Sequence, residues 1–144
     1  MSEVHILLIV HISLYFNVFA KKYIKLKYKK MQNRYQVIIN NTIVHDNIII
    51  AETFYERLKG LMFTHKNWQQ GLLIKNCNSI HTCFMRYSIN IICLDEKFKV
   101  IKIFNNLKPF RFLLPQKKII HILEIPSNQV YNINIGNSIN LKLI

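Results

Sequence analysis

Apolar residues along most of this chain come in short runs separated by polar turn residues, a pattern typical of β-structure. Residues 35–39 are β-branched and apolar, Asn40-Asn41 is a turn signal, and residues 42–44 resume the strand. A second turn is predicted at Asp46-Asn47, before residues 48–50. Further strands are predicted over residues 71–74, 79–85, 89–94, 98–104, 119–125 and 138–143, with a hairpin turn at 95–97 and a loop over 105–118.

Two short helices are predicted among these strands. Thr53 followed by Glu56 has the spacing of a capping box, so a helix should cover residues 54–59 and end at Gly60. Ser127 is a candidate N-cap for a second helix over residues 129–133. Many short strands with one or two brief helices predict a mostly β, α+β fold, which we expect to be a small, compact, partly closed β-barrel or sandwich.

Residues 1–30 form a separate hydrophobic and basic segment. Residues 4–20 are largely apolar, and six lysines follow between positions 21 and 30. A cleaved secretory signal is disfavoured because the lysines lie after the apolar stretch. Two interpretations remain open. One is a short membrane anchor that tethers a cytoplasmic domain to the inner face of the membrane, and the other is a translation start at Met31. Both leave residues 31–144 as a single domain.

Charge and cysteine content narrow the expected partners. The net charge of +13 permits binding to nucleic acid or to an anionic membrane, but the basic residues are not interleaved with aromatic ones in a recognisable motif. We therefore predict no nucleic-acid partner and a monomer, with membrane contact through residues 4–30 if the anchor interpretation holds. An odd number of cysteines without a CxxC pair indicates free thiols in a reducing compartment such as the cytoplasm, and not a zinc knuckle.

Six short blocks follow one another along the domain: 57–62 (RLKGLM), 71–74 (GLLI), 80–85 (IHTCFM), 89–95 (INIICLD), 107–109 (LKP) and 123–126 (LEIP). In this order and spacing they resemble the bacterial and archaeal family called domain of unknown function 192, whose central signature matches residues 76–95. The resemblance covers about residues 37–144 and implies that family's fold, but it brings no activity with it. Ser88 to Asn90 and Gly136-Asn137 each lack a carboxylate that the family usually has, which weakens acid–base or metal chemistry at those positions.

Four residues are candidates for a binding site. Arg57 either clamps an anionic ligand or forms a salt bridge with Asp95 or Glu124. Asp95 ends an apolar strand, so it is either a general base with a raised pKa or an acceptor for turn N–H groups. Strand alternation directs Glu124 away from its apolar neighbours, toward solvent or a cleft. Met85 either belongs to the core or lines a ligand pocket.

Three other residues carry a weaker alternative. His81 and His121 form a metal or proton-transfer site if their strands are neighbours, with Cys83 or Glu124 as the further ligand that zinc requires. Cys83 paired with His81 would be a nucleophile, but no oxyanion-hole motif accompanies it. We therefore expect no metal and no cofactor.

These candidates leave two classes of function open. The first is a non-enzymatic ligand-binding, partner-binding or accessory domain with a site near Arg57, Met85, Asp95 and Glu124. The alternative is a metal-assisted or hydrolase-like enzyme centred on His81, Asp95 and Glu124. Because the sequence contains no complete catalytic triad, phosphate loop or metal-ligand spacing, the first class is favoured.

Overall fold

The fold is a curled seven-stranded sheet with a short helix and a two-stranded ribbon on one face. A computed structural model describes residues 33–64, 69–128 and 132–144 of the chain. The elements are β1 (Tyr35–Ile39), β2 (Thr42–Ala51), α1 (Phe54–Lys59), β3 (Gly71–Lys75), β4 (Ile80–His81), β5 (Ile89–Leu94), β6 (Val100–Leu107), β7 (Phe112–Leu113), β8 (His121–Pro126) and β9 (Asn140–Leu143).

The large sheet has the strand order β6-β5-β8-β3-β2-β1-β9, and β4 pairs with β7 in the ribbon. Only β2 and β3 are parallel, because α1 lies in the connection between them. The two edges of the sheet meet at a bridge between Lys99, just before β6, and Ser138, just before β9. Among the described residues β6 and β9 do not pair along their lengths, so the sheet does not form a closed barrel. The mostly β, partly closed fold predicted from the sequence is confirmed.

The side chains of the sheet alternate between two faces. The concave face holds the main apolar core, to which β8 contributes Leu123 and Ile125. The opposite face presents Ile74, Ile122 and Glu124, all buried, and it is this face that α1 and the β4–β7 ribbon approach. The core cluster comprises Val37, Ile39, Ile48, Leu73, Ile92, Leu94, Val100, Leu123, Ile125 and Ile139.

Several local predictions are confirmed. The helix begins where the capping box places it: Glu56 N–H donates to Thr53 Oγ1 (3.2 Å), and Thr53 N–H donates to Glu56 Oε2 (3.0 Å). Asn40 and Asn41 make the hairpin turn with positive φ angles of 49° and 61°, a conformation that asparagine tolerates well. The strand predicted over residues 89–94 forms with those bounds.

Three local predictions are wrong. The loop predicted over residues 105–118 is interrupted, because β6 runs to Leu107 and Phe112–Leu113 pair with β4 as β7. The turn at Asp46-Asn47 does not form, because β2 runs through it and absorbs the extra residues as irregular pairing with β1. The strand predicted over residues 79–85 stops at His81. Its continuation is prevented because Thr82 bonds to the loop after β6 instead of a strand, and Phe84 takes a positive φ of 58°.

Other predictions fall partly or wholly outside the described residues. The anchor segment 4–20 does so entirely, and the helix over residues 129–133 does so for most of its length. No helix in the described ranges is long and apolar enough to span a membrane. The three cysteines are free thiols, as expected, and burial raises the pKa of Cys93 to about 11.

Candidate functional site

A cleft opens between α1, the loop after β3 and the β4–β7 ribbon. Its volume is about 530 Å³, within the range of small-molecule sites. Exposed phenylalanine and leucine side chains form part of the rim together with the polar residues Asn76 and Asn78, and Glu124 is the buried polar residue of the lining. The lining residues are Phe54, Arg57, Leu58, Gly60, Ile74, Asn76, Cys77, Asn78, Ser79, Ile80, His81, Phe112, Leu113, Leu114, Pro115 and Glu124.

Glu124 lies at the floor of this cleft. It sits on β8, which is a central strand, opposite Leu72 of β3 and Ile91 of β5. Its side chain is 2% exposed, and Oε2 has no hydrogen-bond partner among the described residues. Burial raises the pKa of Glu124 to about 8, which favours the neutral carboxylic acid at pH 7. Of the two environments that the sequence left open, the structure places this side chain in the cleft.

Gly60 gives access to that carboxyl group. It ends α1 with a φ of +47°, and its N–H donates to the Glu56 carbonyl (2.9 Å). A Cβ atom at this position would lie 3.5 Å from Glu124 Oε2 and 3.8 Å from Oε1. Glycine is therefore favoured here both by the backbone conformation and by the space that it leaves above the carboxyl group.

Arg57 lines the cleft but does not form the salt bridge considered for it. Its Nη1 donates to the backbone carbonyls of Lys75 (3.4 Å) and Asn76 (3.5 Å), which end β3 and begin the next loop. The expected ion pair with Asp95 or Glu124 is wrong. The arginine instead ties α1 to the sheet through two long hydrogen bonds, and Glu124 keeps no ionic partner in the described part of the chain.

His81 supplies a second unsatisfied polar atom. It pairs with Phe112 across the ribbon, and the two rings lie 6.3 Å apart between centroids. Its Nδ1 is buried and has no hydrogen-bond partner within the described ranges. The lining of the cleft therefore includes two side chains, on β4 and β8, that each carry a buried polar atom without a partner among the described residues.

Two of the predicted binding residues lie elsewhere. Asp95 makes the β5–β6 turn, where its Oδ1 accepts N–H groups from Lys97 (2.8 Å) and Lys99 (2.9 Å). This confirms the turn interpretation and removes the proposed general base. Met85 is buried at 5% exposure and does not line the cleft, which agrees with its interpretation as a core residue.

The weak metal alternative is not assembled. His121 stacks on Phe98 with centroids 4.4 Å apart, and its Nδ1 accepts the N–H of Asn76 (3.3 Å). Burial, with the neighbouring Lys75 charge, lowers the pKa of His121. Neither His121 nor Cys83 lines the cleft with His81. The described residues contain no group of three or more His, Cys, Asp or Glu side chains that could hold a metal ion.

Sequence reasoning missed the apolar rim. Phe54 and Leu58 on α1, and Phe112 and Leu114 in the second ribbon strand and its continuation, are each more than half exposed. A signal was available in part, because residues 54 and 58 are four apart and share a helix face. Nothing in the sequence showed that residues 112 and 114 would meet them, since the two-residue pairing of β4 with β7 is long-range.

Comparisons with known proteins agree with this architecture. The sequence profile of domain of unknown function 192, described as an uncharacterised ACR family, matches residues 36–142. A UPF0127 protein from Thermococcus sibiricus is 31% identical over 117 residues, which span 74% of this chain and 75% of that protein. A UPF0127 protein from Pyrococcus horikoshii is 35% identical over 81 residues, spanning 54% and 70%.

Two solved structures share the fold. A protein of unknown function from Novosphingobium aromaticivorans has a TM-score of 0.60 and 20% identity, covering 73% of this chain and 83% of its own. A proposed transcription regulator from Sinorhizobium meliloti has a TM-score of 0.63 and 15% identity, covering 76% and 92%. At these identities the likeness extends to the fold alone.

Proposed function

This chain belongs to the family domain of unknown function 192, and from its cleft we propose that it is a non-enzymatic binding domain for a small, uncharged, largely apolar ligand that carries an amide group. The observation that carries the proposal is Glu124. A carboxyl group that is 2% exposed, unpartnered at Oε2 among the described residues and raised in pKa by burial forms the floor of the cleft. A buried polar group is unfavourable unless water or a ligand satisfies it, and a carboxyl group at the floor of a cleft is open to the second.

The charge of the site favours an uncharged ligand. Ionising Glu124 is opposed by burial alone, with no cationic neighbour to offset it. An amine ligand would have to ionise this carboxyl group inside an apolar site of a protein whose net charge is +13. An anionic ligand would have to be desolvated beside it while Arg57 is engaged with two backbone carbonyls.

The hydrogen-bonding pattern of the site favours an amide. A neutral carboxylic acid has one donor and a carbonyl acceptor, and an amide presents the complementary acceptor and donor side by side. His81 Nδ1 adds one further polar contact. The exposed rim residues Phe54, Leu58, Phe112 and Leu114 would cover the apolar part of the ligand.

Two blocks of the family pattern meet at this cleft, which supports placing the function there. Arg57 and Gly60 come from the block at residues 57–62, and Glu124 comes from the block at 123–126. Their meeting depends on α1 lying over β8, so it follows from the fold and not from sequence proximity.

The test compares three probes of equal chain length. Hexanamide, hexanoate and hexylamine are titrated into the full chain at pH 7, and binding is followed through the methyl NMR signals of Ile74, Ile80 and Leu113. We expect hexanamide to shift these signals and to bind about tenfold or more tightly than either charged probe, the factor that 1.4 kcal/mol produces. Equal binding of all three probes, or no shift with hexanamide, would contradict the proposal.

Variants at Glu124 sharpen the test. Glu124→Gln keeps one donor and one acceptor, so hexanamide binding should persist, whereas Glu124→Met removes both and should abolish it. Glu96→Gln, at an exposed turn residue, is the matched control for loss of a carboxyl group and should bind as the unaltered protein does.

General acid–base catalysis is the second candidate, because Glu124, with its pKa near 8, shares the cleft with His81. Asp95, the third residue of the predicted catalytic centre, is engaged in the β5–β6 turn. Mass spectrometry of the same hexanamide samples separates the two functions. Formation of hexanoate that Glu124→Gln abolishes while binding persists would favour hydrolysis, and unchanged hexanamide favours binding.

A further inference from the structure

Three phenylalanines on separate loops form one exposed aromatic patch. Phe63, Phe84 and Phe110 are 59%, 54% and 59% exposed. Phe63 stacks on Phe84 with centroids 5.4 Å apart, and Phe110 meets Phe84 edge-on at 5.9 Å. Given the size of a phenylalanine side chain, the patch leaves on the order of 300 Å² of aromatic surface in water. Exposed apolar patches of this size often mark interaction sites.

The backbone holds all three rings outward at an energetic cost. Phe63, Phe84 and Phe110 have positive φ angles of 61°, 58° and 56°. This region is unfavourable for a bulky side chain and suits glycine or asparagine better. Strained residues of this kind cluster at functional sites, and here three of them converge on one patch.

Buried hydrogen bonds fix the patch in place. Thr82 is fully buried, and its Oγ1 donates to the Lys108 carbonyl (2.8 Å) and accepts the N–H of Arg111 (2.9 Å). The Phe110 N–H donates to the Thr82 carbonyl (2.9 Å). The Phe63 N–H donates to the Phe84 carbonyl (3.2 Å). The patch is thus preorganised and does not need to be assembled on contact with a partner.

The charged residues that flank the patch phenylalanines in the described sequence are positive. Arg86, Lys108 and Arg111 are exposed, and each lies within two residues of a patch phenylalanine. Segments 60–64, 82–88 and 105–118, which carry or flank the patch, contain no aspartate or glutamate. An apolar centre with a basic margin is complementary to a lipid bilayer whose surface is anionic.

We propose that Phe63, Phe84 and Phe110 insert into the surface of an anionic membrane while Arg86, Lys108 and Arg111 contact its headgroups. Single-stranded nucleic acid would also match the positive charge, but base stacking requires open ring faces. Here the faces of Phe63 and Phe84 are turned toward each other. The surface that remains suits partition into an apolar medium. This proposal is independent of the ligand cleft.

The test places a fluorescent reporter in the patch of the full chain. Phe84→Trp is combined with Trp68→Phe, which removes the only natural tryptophan. The protein is mixed with phosphatidylcholine vesicles, with or without phosphatidylglycerol, carrying brominated acyl chains. We expect a blue shift and bromine quenching only when the anionic lipid is present, and loss of both in high salt.

The control reporter is Ile135→Trp combined with Trp68→Phe, with Phe84 left unaltered. Ile135 is 67% exposed. Its neighbour Gly136 donates its N–H to the carbonyl of Val100, where β6 begins. Phe110 lies beyond the other end of that strand. The strand separates the two positions by roughly 20 Å. The control should be quenched little or not at all, even if residues 4–20 also attach the chain to the vesicle.

Each other outcome overturns the proposal. Absence of quenching at position 84, or equal quenching at positions 84 and 135, would show that the patch does not insert. Quenching by single-stranded oligothymidylate without any response to lipid would assign the patch to nucleic acid.

Asparagine variants separate the role of the side chains from their effect on folding. Phe63→Asn, Phe84→Asn and Phe110→Asn combined should weaken binding to vesicles that contain phosphatidylglycerol at least about tenfold relative to the unaltered chain, without lowering the melting temperature, because asparagine tolerates positive φ better. Ile135→Asn is the matched control and should bind these vesicles as the unaltered chain does. An affinity of the triple variant equal to that of the unaltered chain would contradict the proposal.

Discussion

Gly60 lies directly over the carboxyl group of Glu124, close enough that a single added methyl group would stand 3.5 Å from Oε2. The helix end and the central strand are 64 residues apart in sequence, and the fold brings them into contact. Gly60 therefore has two roles, which are to end α1 at a positive φ and to leave the carboxyl group reachable from the cleft.

Gly60→Ala should reduce both stability and ligand access. We expect a loss of about 1–3 kcal/mol in the free energy of unfolding, since a φ of 47° with a ψ of −131° lies outside the left-handed helical region and suits glycine alone. The added methyl group should also weaken hexanamide binding several-fold, because it occupies the approach to Glu124. Denaturant unfolding and NMR titration measure the two effects.

Gly136→Ala is the control for backbone strain alone. Its φ is +93°, and a Cβ atom built there has no neighbour within 4 Å. This variant should lose stability while binding hexanamide as the unaltered protein does. If Gly60→Ala bound hexanamide equally well, Gly60 would act only as a helix terminator.

The stability of the domain should fall as pH rises toward 8. Burial raises the pKa of Glu124 from about 4.5 to about 8, so between these values the folded state holds a proton that the unfolded state has released. The free energy of unfolding then decreases by about 1.4 kcal/mol per pH unit. The protonated Glu124 therefore contributes its full stabilisation below pH 4.5, and this contribution is lost as the pH rises through about 8.

His121 sets the useful pH window. Its pKa is lowered from 6.5 in the folded state, so it opposes the Glu124 effect at more acidic pH, where the unfolded chain takes up a proton. Between pH 6.5 and 8 the Glu124 effect dominates, and a fall of about 2 kcal/mol is expected. Glu124→Gln should flatten the dependence of the melting temperature on pH in this window, whereas Asp46→Asn, at an exposed carboxylate away from both groups in the sequence, should not. A slope unchanged by Glu124→Gln would show that Glu124 is ionised throughout.

Much of the fold could be predicted because its signals are local. The capping box at Thr53 and Glu56, the asparagine turn after β1 and the apolar run of β5 each depend on residues close in sequence. The strand over residues 79–85 failed because its apolar pattern is local but its backbone partners are not. The Thr82 hydroxyl donates to the carbonyl of Lys108, 26 residues away, and accepts the N–H of Arg111, 29 residues away.

The site could be predicted only in part, for a related reason. Alternation identified Glu124 as pointing away from the core, and the helix placed Arg57 near a glycine turn. Whether a carboxylate ionises depends on what surrounds it in three dimensions. Asp95, predicted to share the site, is satisfied by turn N–H groups, whereas Glu124 lacks any partner at Oε2 in the described structure.

Thr82→Val should destabilise the domain although the two side chains have nearly the same shape. The substitution leaves the Lys108 carbonyl and the Arg111 N–H without the hydroxyl that now satisfies both. We expect a loss of about 1–3 kcal/mol, measured by urea unfolding. Thr82→Ser keeps the hydroxyl and is the matched control, with a smaller loss. An equal loss in the two variants would attribute the effect to the methyl group.

Glu124→Met should make the protein more stable and unable to bind its ligand. The side chain is buried among apolar neighbours and Oε2 is unpartnered, so an apolar residue of similar length removes a desolvation penalty without breaking a network. We expect a gain of about 1–3 kcal/mol at pH 7, measured by chemical denaturation, together with loss of hexanamide binding. Such a gain would mean that the unaltered protein gives up stability to keep a polar group in the cleft, as proteins do at functional sites. A loss of stability would instead assign Glu124 a structural role and remove the main support for a ligand at this position.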